Sequence, residues 1–224
     1  LGDGMYPHLN GEPDLQKPPL PFWQAGAIAA VRGRLDEWAV RAPSAAASVL
    51  TMLLLVALAR SIAGSTASSP ASGWRVALLT AFAYTTSWSA LVWGRRAEVD
   101  SQLVFWTTAM LTCYWLGLRE ENRRRQVLYF AGMWAATGLG IVAKGPFAVP
   151  FLGMVVVAMF IISPRGRRIG RMLPLAGPVI ALVLCVPWYA MAAVWAHHRG
   201  GDALDLWLMH SVGQISMQSS QPVH

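Results

Sequence analysis

Three charged features stand where apolar runs end in a chain that otherwise carries few charges. They are Lys17 in "QKPPLPFW", the stretch "GRRAEVD" with Arg95, Arg96 and Asp100, and Lys144 in "GLGIVAKGPFAVP". A lysine offers a compact point charge, an arginine can grip two phosphate oxygens at once, and a carboxylate among them can orient the cations. Gathered at one bilayer edge, these groups would hold an anionic headgroup while a bond to its phosphate breaks. Their stabilisation grows where water is excluded. Lys144 is the most telling, because the short turn "KGP" needs no charge to be a turn. Each feature also has a plainer use. A lysine at a span end snorkels to the headgroups, Arg95 and Arg96 can bind lipid phosphate, and Asp100 as their surface partner would contribute at most ~1 kcal/mol. Pro18 and Pro19 can simply stiffen a turn. It is the set that points to chemistry.

The elements that must position this set are membrane helices. Of the residues, 55% are hydrophobic and 13% are charged, against about a quarter charged in a soluble domain. Apolar stretches at 45–63, 74–93, 101–118, 127–143, 147–163 and 173–194 each approach the ~20 residues that cross the hydrocarbon as a helix. The fold class is therefore all-α: a polytopic transmembrane helix bundle of about six spans. Arg60 and Arg75, then Arg119 and Arg123–Arg125, then Arg165, Arg167, Arg168 and Arg171 fill alternate connections, which the positive-inside rule makes cytoplasmic. Lys17, Arg95, Arg96, Asp100 and Lys144 then share the opposite face. The net charge of +7 comes from residues that punctuate spans. They do not cluster on a soluble module with interleaved aromatics, so nucleic acid is excluded as a partner.

Three regions follow along the chain. Residues 1–43 form an extracytoplasmic, periplasmic loop that ends in an amphipathic interfacial helix, because Arg32, Arg34, Asp36, Glu37 and Arg41 interrupt its apolar period too often for a span. Residues 44–194 form the helix bundle, with Pro43 and Ser44 expected at the start of the first span. Residues 195–224 begin another periplasmic loop. Cys113 and Cys185 fall inside spans and read as packing residues. The opening at Leu1 and the tail "SMQSSQPVH" read as those of a fragment.

The segments "LNGEPDLQKPPLPFWQ", "GRLDEWAVRAPSA", "GRRAEVDSQLVFW", "GLGIVAKGPFAVP", "VPWYAM" and "LWLMHSVGQ" occur in an order and spacing that resembles the polyprenyl-phosphate-sugar glycosyltransferases of the GT-C class. The resemblance is to the branch holding the aminoarabinose transferase of lipid A and bacterial relatives of the protein mannosyltransferases, and it covers essentially the whole chain. It implies that Lys17 is a donor-phosphate ligand and that Asp100 matches the acidic residue after the third span. His210 matches a histidine of a later periplasmic loop. In the aminoarabinose transferase that pair, with a glutamate before the motif lysine, resembles a site for a divalent metal such as zinc. Here Gln16 stands at the glutamate position, and a neutral amide is a poor substitute for a carboxylate ligand.

What the resemblance implies is a membrane enzyme, inserted in a bacterial inner membrane and acting at its periplasmic face. It would move a sugar from polyprenyl phosphate, such as undecaprenyl phosphate, to lipid A, a protein or a glycan, with inversion at the anomeric carbon. Lys17 and Lys144, with Arg95 or Arg96, would hold the departing phosphate, and Asp100 would be the catalytic carboxylate within this chain. The family's base lies in an aspartate–glutamate motif upstream of Leu1, so the fragment alone would be inactive. Two other classes remain as alternatives. A transporter or flippase for an anionic lipid-linked substrate would place charges at mid-membrane, and an inactive membrane scaffold would lack the upstream acidic pair.

Overall fold

The first helix begins where two prolines leave the chain no other comfortable course. In the computed structural model, which describes residues 8–9, 12–13, 18–64, 70–145, 148–162, 172–173 and 175–198, helix α1 spans Leu20–Arg32 with proline in its first turn. Proline there gives up only an N–H that would have had no partner. Gly33 ends the helix in the left-handed region at φ 72°, which glycine adopts without cost to a side chain. Ahead of α1, β1 (His8–Leu9) and β2 (Glu12–Pro13) form a two-residue antiparallel ladder.

Asp36 then caps α2, Glu37–Ala63, by accepting from the Ala39 amide at 3.0 Å. The same carboxylate receives Arg32 at 2.8 Å and Arg34 at 2.9 Å, so one residue ties the end of α1 to the start of α2. The first span thus starts at Glu37, a turn and a half before the expected Pro43, and Pro43 lies inside the helix. A capping carboxylate with two guanidinium partners outweighs proline's preference for a first turn. Ser44, expected as the cap, is buried and bonds elsewhere.

The remaining helices are α3 (Pro70–Thr85), α4 (Trp88–Trp93), α5 (Val99–Arg119), α6 (Arg123–Lys144), α7 (Ala148–Ile162) and α8 (Ala176–His198). Among the described residues α2, α6 and Ala176–Val194 of α8 are long and apolar enough to cross a membrane. Helices occupy all six expected apolar stretches, with one difference: the stretch 74–93 is broken. The Thr85 and Thr86 hydroxyls donate back to carbonyls of α3, and Ser87 accepts from Ala90 N as the cap of α4. Hydroxyls that bond their own backbone compete with helix continuation.

The core lies between α5 and α6. Met110, Tyr114 and Leu118 of α5 meet Phe130, Met133 and Ala136 of α6, together with Met172. Gly117 lets the Phe130 ring lie against the α5 backbone, since a Cβ there would sit 2.9 Å from the ring. Gln126 closes this hairpin by donating to the carbonyls of Gly117 and Glu120, both at 3.1 Å. Helix α8 packs on the other side of α6, where a Cβ on Gly138 would come within 2.8 Å of the Ala181 carbonyl oxygen. Leu78, Phe82, Val183 and other large apolar side chains face outward, as a hydrocarbon solvent requires.

Two outcomes follow from this packing. Gly138→Leu should lower the midpoint of thermal unfolding in detergent by the equivalent of about 1–3 kcal/mol of overpacking, whereas Gly153→Ala, with open space at its Cβ, should not lower it. Separately, the Ala39 amide and then the Arg32 guanidinium hold the Asp36 carboxyl down at about 2. A folded value below the unfolded ~3.9 means a contribution fully present above about pH 4 and lost as the pH falls through about 2. Hydrogen exchange at the Ala39 amide should show that loss of protection, and Asp36→Ala should abolish the dependence.

Candidate phosphate-binding rim

Helices α5 and α6 are antiparallel neighbours, so the N-terminus of one lies beside the C-terminus of the other. Asp100 is in the first turn of α5 and Lys144 in the last turn of α6, each at the helix end whose dipole favours its charge. Lys144 Nζ donates to Asp100 Oδ1. Both side chains keep some contact with the outside, at 30% and 25% exposure, which makes this a rim pair and not a sealed one. Gly145 ends α6 at φ 91° and lets the chain leave directly after the ammonium group.

The α5 N-terminus is held from other sides as well. Ser44 Oγ of α2 and Ser101 Oγ of α5 both donate to the Glu98 carbonyl, at 3.0 Å and 3.1 Å. Gln102 Nε2 donates to Gln24 Oε1 of α1 at 2.8 Å and to the Pro43 carbonyl of α2 at 3.0 Å. On α8, Tyr189 donates to the Ile141 carbonyl in the last turn of α6 at 3.3 Å. Five helices are thereby fixed around the Lys144–Asp100 pair, mostly through side chains on backbone carbonyls.

Of the site residues expected from the sequence, Asp100 and Lys144 come into direct contact. Arg95 and Arg96 are exposed in the turn just before α5, and Arg96 approaches Glu98 at 3.8 Å, a surface contact of little energetic weight. Lys17, Gln16 and His210 lie outside the described residues, although Pro18 and Pro19 next to Lys17 are buried. No three metal-ligating side chains gather among the described residues, and Asp100 spends one oxygen on an ammonium group. Of the metal set that the resemblance implies, only Asp100 lies among the described residues, and no step is routed through a metal. Sequence reasoning passed over Gln24 and Gln102, and gave Ser44 only a role at a helix start. The two amides stood inside the quoted "PFWQ" and "DSQLVFW", and their only signal was a polar residue at the edge of an apolar run.

The chain as a whole also resembles known proteins. Residues 16–191 match the family model described as dolichyl-phosphate-mannose-protein mannosyltransferase. The chain is 28% identical over 188 residues to the undecaprenyl phosphate-alpha-4-amino-4-deoxy-L-arabinose arabinosyl transferase of Pseudomonas savastanoi pv. phaseolicola, covering 84% of this chain and 33% of that protein. To the enzyme of the same name from Pectobacterium atrosepticum it is 29% identical over 207 residues, covering 90% and 34%. Its fold is similar to the crystal structure of ArnT from Cupriavidus metallidurans bound to undecaprenyl phosphate, with a TM-score of 0.78 at 22% identity over 93% of this chain and 36% of that one. The chain therefore spans about a third of the length of the relatives it matches.

The rim pair is open to a direct measurement. Asp100→Ala, Lys144→Ala and the double variant, unfolded thermally in detergent, should give a coupling energy of about 1 kcal/mol. A coupling indistinguishable from zero would mean that the two groups do not hold each other.

Proposed function

The chain belongs to the dolichyl-phosphate-mannose-protein mannosyltransferase family, and from that premise we propose that it forms part of a membrane glycosyltransferase that takes its sugar from a polyprenyl phosphate. The observation that carries the reading is the Lys144–Asp100 pair at the ends of α5 and α6. An ammonium group held by a carboxylate at bilayer-edge height is placed to meet a phosphate whose own lipid tail runs down the apolar exterior. The relatives' printed name and the lipid bound in the ArnT crystal structure support undecaprenyl phosphate as the carrier.

In this reading the acceptor hydroxyl attacks the anomeric carbon while the bond from that carbon to the phosphate oxygen breaks. The electron pair leaves on the phosphate, and the configuration inverts. The departing phosphate gains negative charge in the transition state, so a cation held in place beforehand stabilises that state more than the ground state. Lys144 supplies this charge, Lys17 and either Arg95 or Arg96 add to it, and Asp100 keeps the Lys144 ammonium from turning toward the headgroups. The proton of the acceptor goes to a base that the family resemblance places outside this chain. The face is periplasmic, since Arg60, Arg75, Arg119 and Arg123–Arg125 cluster at the other ends of the helices. Lipid A, a protein or a glycan each offers a suitable hydroxyl or phosphate oxygen as acceptor. A transporter is disfavoured because Lys144 and Asp100 stand at helix ends and not at mid-membrane.

The test is transfer of radiolabelled sugar from undecaprenyl phosphate by membranes holding the full-length protein. Lys144→Ala and Lys17→Ala should each lower transfer about 100-fold or more, the loss typical of one removed transition-state contact, with insertion unchanged. Normal transfer by either variant would reject that residue's role.

A further inference from the structure

We infer that Gln102 is a positioning residue that sets where α1, and with it Pro18 and Pro19 at its start, stands relative to the Lys144–Asp100 pair. Gln102 is 2% exposed, and both hydrogens of its Nε2 are used, one by Gln24 Oε1 and one by the Pro43 carbonyl. A carbonyl oxygen can only accept, so the amide at 102 must point its nitrogen that way. Gln24 must in turn present its oxygen. One side chain on α5 thereby joins α1 and α2.

The joint matters because α1 is held by Asp36 only at its far end, through Arg32. Ala25 is its one buried residue among those described, and so small a side chain gives α1 little shape to lock it against α2. A directional hydrogen bond from a buried amide supplies the register that thin apolar contact cannot. Gln102 also follows Asp100 by two residues, which points the two side chains to different faces of α5. Asp100 holds α6 through Lys144, and Gln102 holds α1 and α2, so the first turn of α5 is the common reference for all three helices. This inference rests on the proposed function and deepens it. Gln102 governs how α1 stands beside the Lys144–Asp100 pair, and so how well the groups there meet the donor's phosphate.

The test exploits an asymmetry in the two amides. Gln24→Glu leaves an oxygen to accept from Gln102 and should behave as wild type. Gln102→Glu turns a carboxylate toward the Pro43 carbonyl, which has no proton to offer, and should fail; Gln102→Leu should fail likewise. In the full-length protein in liposomes, two readouts are taken: kinetics with an undecaprenyl-phosphate sugar, and distances between spin labels introduced as non-canonical residues at Val31 and Leu128, both exposed. Loss of the bonds should lower kcat/KM about 10-fold, the equivalent of one such hydrogen bond, and should broaden the label distance. Gln24→Leu removes one of the two bonds from the less buried side and serves if the Gln102 variants do not insert. Equal behaviour of Gln24→Glu and Gln102→Glu, or an unbroadened distance in Gln102→Leu, would overturn the inference. Should the wild type transfer no sugar, the proposed function falls while the label distances still decide whether Gln102 fixes α1.

Discussion

Everything at the rim depends on the close antiparallel contact of α5 and α6. Two helices joined by a short turn can slide or splay unless something sets their separation. Here Gly117 brings the Phe130 ring onto the α5 backbone, and Gln126 fastens the turn by donating to two carbonyls it encloses. With the hairpin fixed at one end, helix rise carries the other ends to matching heights, about 30 Å away for helices of 21 and 22 residues. Asp100 and Lys144 then meet because the geometry leaves them side by side. Their separation is a consequence of packing more than 20 Å distant, at the ~1.5 Å rise of each intervening residue.

The same hairpin shows how membrane topology and helix electrostatics can disagree. At the outer end the two agree, since an aspartate at an N-terminus and a lysine at a C-terminus both suit the dipole. At the inner end Arg123, Arg124 and Arg125 occupy the first turn of α6, where the dipole disfavours cations. Asn122 offsets part of the conflict by accepting from the Arg124 and Arg125 amides. Arg119 and Trp115 bind Ser61 of α2 at that end, and Arg60 stacks over Trp74 at 4.3 Å. Cationic residues at that end thus serve as structural clamps.

Where sequence expectation and structure part, local hydrogen bonding is the reason. The signal at Pro43 and Ser44 looked like a helix start, yet Asp36 had three donors within reach, one amide and two guanidinium groups. The apolar run 74–93 looked continuous because hydropathy does not register that adjacent threonines and a serine can turn back on their own carbonyls. In both places a few polar groups redirected the chain while the apolar pattern around them stayed unchanged. Gln24 and Gln102 escaped notice for a related reason. A lone amide carries no charge and no motif, and its meaning comes only from the partner across the helix interface.

Composition and charge order by themselves determined that this is a multi-pass helical membrane protein, which helix ends carry the cationic excess, and which charged residues lie at the opposite ends. Those properties follow from transfer energies that each segment meets alone, whatever its neighbours. The tertiary structure alone decided that Lys144 reaches Asp100, that Ser44 and Gln102 bind backbone carbonyls of other segments, and that α1 is tied to α5. Such contacts join residues 44 to 78 positions apart, and no local pattern encodes them, because they exist only once glycine-mediated packing has set the distances between helices.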